Sequence, residues 1–251
     1  MGLPGSTSSA PTFPGSGGGG ASGRRVIGGS SRVTYFNWIQ SKVGAIRAVT
    51  PKDGEKAEEV TPQQHVRECL GIPSAVINGD TRPTLVYFHW PHDDSPSGKL
   101  SDDLCDKTLN DENVARWGTL FRCVQVDMSA SDERLMTILE AGAKPSFVAV
   151  DKDAKVVARI PALGSTSKME KALKEAFQKF PDAWKKVQEE IDRQAKWMDE
   201  AKALCKADKD VEALKLIDKV RFSRIRVGPL FDKAQADGQE LGQQIDRDKT
   251  K

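Results

Sequence analysis

The fold turns on one stretch, RPTLVYFHWPHDDSPSGKLSDDLCDKTLNDENV, residues Arg82 to Val114. Thr84 to His89 is β-branched and aromatic and too short for a globular helix, so it reads as a strand. A polar loop follows, Trp90-Pro91-His92-Asp93-Asp94, and then a helix. Ser101 suits the helix N-cap, with Asp102 and Asp103 in the first turn, where the helix dipole favours acids. The helix carries Leu104 and stops near Asn110-Asp111. The loop itself contains no cysteine.

Downstream, ENVARWGTL reads as helix and FRCVQVDM as strand. SDERLMTILEAG is a capped helix ending at Gly142, and Lys144-Pro145 leads into the strand SFVAVD. KDAKVVARIP is its hairpin partner across an Asp151–Ala154 turn, and STSKMEKALKEAFQKF is a closing helix capped by Ser165 or Ser167. The order from Thr84 is therefore β-α-β-α-β-β-α, an α/β class with a mixed sheet between helices. Asp182 to Lys206 is a long amphipathic helix, and DVEALKLIDKVRF and GPLFDKAQADGQELGQQI add two more. The first two have the shape of a helical hairpin, too little to form a free-standing solenoid. They read as an α-helical extension leaning on the first domain.

Upstream, residues 1–30 are mostly Gly, Ser and Pro, a composition that buries too little to offset its ordering entropy and reads as a disordered tail. Tyr35, Trp38, Ile39, Val43 and Ile46 recur at helical spacing, the pattern of a core-facing amphipathic helix. A charged, proline-bounded linker follows, and then the short helix PQQHVRECLG. The divisions are 1–30 tail, 31–62 amphipathic helix and linker, 63–180 main domain, and 181–251 helical extension.

Whole-chain totals exclude several classes. The 251 residues carry 38 Lys and Arg against 36 Asp and Glu, a net charge of +2, which gives no general reason to expect nucleic acid as a partner. The first 52 residues hold six of the bases and no acid, a basic arm too sparse for a phosphate-binding patch. Cys69, Cys105, Cys123 and Cys205 are far apart and form no CxxC; they read as unpaired thiols in a reducing compartment. No apolar run of about 18 residues is present to span a bilayer. The amino terminus as written lacks a signal-peptide core, which favours a cytoplasmic location. No cofactor motif is found: GSGGGGASG follows no strand and opens no helix, so it is no phosphate cradle.

The strand LVYFHW, the helix after the loop, VQVD, the next helix and AKPSFVAVDKDAKVVARIPAL together resemble the thioredoxin fold. KTLNDENVARWGTLFRCVQVD is similar to the branch that includes thioredoxin-like proteins with a CxxC ahead of the helix and the UAS domains, which lack one. The resemblance covers roughly residues 70–180. It implies a thioredoxin-like mixed sheet sandwiched by helices and a cis Lys144–Pro145 peptide lying against Trp90 or Pro91; a trans peptide there, or residues 84–89 and 146–150 outside one sheet, would overturn the fold reading. The redox pair would fall on Pro91 and Asp94, or on Gly98 and Ser101 in the other register, and neither register supplies a thiol. Thiol–disulfide exchange needs an attacking thiolate and a resolving thiol, so no catalytic residue is assigned to the loop.

The expected function is that of a redox-inactive protein-interaction or chaperone-like module. Trp90, Pro91, His92, Asp93, Asp94, Lys144 and Pro145 would meet another protein or an extended peptide, through backbone groups left open at the strand edge. Two alternatives are of another class: an oxidoreductase using the dispersed cysteines, with Cys69 and Cys105 as the pair not excluded, or a metal site on His89 and His92, whose imidazoles suit zinc or copper.

Overall fold

The computed structural model describes residues 36–41, 60–72, 82–130 and 133–249. The tail, most of the linker and the positions of Val43 and Ile46 lie outside these residues. The architecture is mixed α/β, a five-stranded sheet with helices on both faces. The strands are β1 (Ile39–Gln40), β2 (Thr84–His89), β3 (Arg122–Asp127), β4 (Ser146–Val150) and β5 (Val156–Pro161). Their order is β1-β3-β2-β4-β5, with β1 and β2 parallel to β3 and with β4 antiparallel to both β2 and β5.

The helices of the main unit are α1 (Pro62–Leu70), α2 (Pro96–Asp103), α3 (Glu112–Gly118), α4 (Glu133–Leu139) and α5 (Thr166–Gln178). A π-helical turn, Leu104–Leu109, continues α2. Successive side chains of a strand point to opposite faces, and the two resulting sets fall into two separate cores. Leu85 and Tyr87 of β2 join Phe147, Ala149 and Ile160 beneath the π turn, α3 and α5. Val86 and Phe88 join Val124, Val126, Val148 and Val150 beneath α1 and α4. Because both faces are covered, Thr84 to Phe88 is buried throughout, which is why β2 reads as a continuous apolar run rather than an alternating one.

The helical stripe expected around Trp38 is corrected. Phe36 and Trp38 are buried, at 5% and 6% exposure, while Ile39 is 43% exposed. That alternation has the two-residue period of extended chain. Phe36, which the helical spacing leaves out, stacks on Trp38 with ring centroids 5.0 Å apart. The segment then runs along β3, with Ile39 opposite Val124, Gln40 donating to the Gln125 side chain at 2.8 Å, and Ser41 N–H donating to Gln125 O.

The cis-proline expectation is also corrected. No peptide bond among the described residues is cis, so Lys144–Pro145 is trans. Ser146 is paired on both sides, with Phe88 and with Pro161, and the bond before Pro145 keeps the form that X–Pro peptides favour by about 0.5–1 kcal/mol.

Helices α6 (Pro181–Cys205), α7 (Asp210–Arg221) and α8 (Pro229–Lys249) follow and pack on one another around Met198, Ala213, Ile217, Val220 and Ala234. The start of α6 enters the main core through Val187. Arg116 of α3 stacks over the Phe231 ring of α8 at 4.6 Å and pairs with Asp232.

Candidate functional site: the β2–α2 loop and the Pro145 groove

Helix α2 begins earlier than Ser101. Ser95 is the N-cap, its hydroxyl accepting from Gly98 N–H at 3.0 Å, and Pro96 occupies the first helical position, where its missing N–H costs nothing. Asp93 braces the cap by accepting from Ser95 N–H and from its hydroxyl. Gly98 leaves room for this brace, since a Cβ there would run into the Asp93 carboxylate and lie 2.9 Å from its carbonyl oxygen. Asp94 extends to Lys99 at 3.5 Å, both well exposed.

Ser101 is therefore inside the helix and buried, where its hydroxyl accepts from Trp90 N–H at 2.9 Å. It ties the loop to α2 instead of capping it. Below it, Tyr87 Oη lies 3.7 Å from Cys105 Sγ in the π turn. Burial, reinforced by the neighbouring Cys105, pushes the Tyr87 hydroxyl well above its ordinary value. Burial likewise pushes the Cys105 thiol up to about 12, although the Tyr87 hydroxyl works in the opposite direction. Such a thiol stays protonated at neutral pH, whereas a nucleophilic cysteine needs a lowered value.

Cys69 belongs to the core on the far face of the sheet from Cys105. That separates the one cysteine pair left open by the sequence. None of the four cysteines is joined in a disulfide, and only Cys205 is partly exposed.

His89 ends β2, its Nδ1 3.1 Å from Trp90 O. His92 is on the exposed loop with Nδ1 2.5 Å from Asp102 Oδ2. That hydrogen bond, and then the Asp102 charge, raise the His92 pKa above 6.5. Among the described residues no three His, Cys, Asp or Glu side chains gather in a way that could hold a metal ion, and the histidines do not supply the core of such a cluster.

Lys144 and Pro145 line a groove of about 750 Å³ at the start of β4. Leu100 of α2, Phe147 of β4, and Ile160 and Pro161 of β5 give it an apolar lining. At its rim Arg159 pairs with Glu140 at 2.8 Å. Ser97 in the first turn of α2 donates to Ala143 O at 3.1 Å, fixing the helix to the segment that precedes Pro145. Of the residues expected to meet a partner, Lys144 and Pro145 line this groove; Trp90, Pro91, His92, Asp93 and Asp94 stand outside its lining, on the loop that leads into α2. Sequence reasoning missed Leu100, Phe147 and Ile160, whose apolar character reads equally as core.

No protein-family model matches the chain, and no curated protein matches it.

Proposed function

We propose that the main unit is a thioredoxin-like module without a redox centre, which binds an extended segment of another protein in the groove beside Lys144 and Pro145. The helices after residue 180 would act as an extension that presents or supports it. The observation that carries this reading is the groove itself: about 750 Å³ of apolar-lined space, within the range of about 300–1,000 Å³ typical of binding clefts. It lies on a sheet that holds both β2 and β4, one of the two conditions set for the resemblance. The trans Lys144–Pro145 peptide meets the condition set against the thioredoxin-like reading, so the proposal rests on the mixed sheet and the groove alone. The loop with no cysteine and the buried, protonated Cys105 support a role in binding over one in thiol exchange.

The test has two arms. Proteins captured by the parent chain are compared with those captured by Lys144→Glu and by a variant with Trp90–Ser97 replaced. Partners lost from Lys144→Glu support the groove; partners kept by both variants refute it. In the second arm, the parent is assayed for disulfide reduction of a model substrate beside Cys105→Ser and Cys69→Ser. Turnover that disappears in either variant would overturn the non-redox reading.

A further inference from the structure

A second groove runs between α6 and α8, with α7 beneath it, and encloses about 330 Å³. Met198, Ala201 and Cys205 line one wall at helical spacing, Leu241 lines the other, and Ile217 of α7 is the floor. The walls differ in charge. Lys202 and Lys206 edge the α6 side, whereas Asp237 and Glu240 edge the α8 side. Lys202 is engaged with Asp199 at 3.0 Å. Among the described residues Lys206, Asp237 and Glu240 form no salt bridge, so opposite charges face each other across a gap that neither closes.

We infer that this groove docks one amphipathic helix of a protein partner. The volume is at the lower end of the range for binding clefts, too small to sink a whole helix about 10 Å across. It suits the apolar edge of one, laid in as anchors at i, i+3/i+4 and i+7. The walls then specify the flanks. An acidic flank meets Lys206, and a basic flank meets Asp237 and Glu240. A helix with like charges on both flanks would oppose one wall, so the groove selects for mixed flanks. The lining side chains are apolar and little exposed, Met198 and Ala201 at 1% and 2% and Leu241 at 8%, so a charged edge would lose its water here without gaining a partner.

The probe is a synthetic helix of about 18 residues, long enough to hold helical structure, with leucines along one edge, glutamates on one flank and lysines on the other. It is titrated into the full chain at low salt, where surface charges are least screened. Saturable binding is expected. Lys206→Glu should weaken it about two- to fivefold, the scale of an exposed ion pair. A companion peptide with lysines on both flanks should behave in reverse, binding Lys206→Glu more tightly than the parent. A bulky maleimide attached to Cys205 after folding should abolish binding of both. Equal binding of a scrambled peptide, no saturable binding below about 1 mM, or the same order of affinities for both peptides would overturn the inference. Self-association of the chain that the Cys205 adduct prevents would also overturn it, by assigning the groove to a second copy.

Discussion

Replacing Ser101 by Ala tests whether the loop after β2 is held from below. Ser101 is 2% exposed, and its hydroxyl takes the Trp90 N–H at 2.9 Å. Alanine removes the acceptor and leaves the Trp90 donor without it. A fully buried orphan donor costs about 1–3 kcal/mol. Trp90 is half-buried, so water can partly replace the lost bond, and the lower half of that range, about 1–2 kcal/mol, is expected. For a chain of this size that is a Tm lower by about 2–8 °C. Tyr87→Phe is the control. It keeps the ring stacked on Phe147 at 4.6 Å and deletes only a hydroxyl, so it should cost about 1 kcal/mol or less. Urea unfolding followed by tryptophan fluorescence gives both numbers. Amide hydrogen exchange gives the location: Trp90 N–H should lose about tenfold or more in protection, while the β2 amides keep theirs. If Ser101→Ala leaves both the Tm and Trp90 exchange unchanged, the proposed tether between loop and helix is wrong.

Three further outcomes follow from the same region. Ellman's reagent at pH 7 should find only Cys205 in the native chain and all four thiols in denaturant, because Cys105 and Cys123 are buried thiols raised to about 12; rapid native labelling of Cys105 would contradict its placement. Asp102 raises the His92 pKa, so their attraction is complete below about pH 6.5 and is lost as pH rises through the higher folded value; an NMR titration should show a His92 midpoint above 6.5 that falls in Asp102→Asn, and identical midpoints would reject the pair. Gly98→Ala should destabilise the chain even though alanine is favoured in helices by about 1 kcal/mol, because the new methyl group meets Asp93; a higher Tm in that variant would mean that Asp93 does not brace the cap.

The sheet was legible because its signals are local. Thr84–His89 is bounded as its β-branched and aromatic run predicts, and the β4–β5 hairpin turns at Asp151, whose carboxylate accepts from Asp153 and Lys155 N–H. Helix α1 begins at a Thr61 cap and stops at Gly71 in the left-handed region, φ 60°, where glycine alone is unstrained. Phe36 to Gln40 misled because its aromatic and aliphatic residues fit a period of either 3.6 or 2. Only pairing with β3, more than 80 residues away in sequence, selects the second.

The start of α2 was misread for a different reason, and the difference bears on function. Ser95 and Ser101 are equally good caps by residue type. What decides between them is the burial of Ser101 beside Tyr87 and Cys105, a tertiary fact. The earlier start leaves Pro91 and Asp94 ahead of the helix and puts Gly98 and Ser101 within it. The apolar groove near that helix is assembled from α2, β4 and β5, whose residues span Leu100 to Ala162. No local pattern announces such a surface, since each contributor reads as ordinary core until the three elements are brought together.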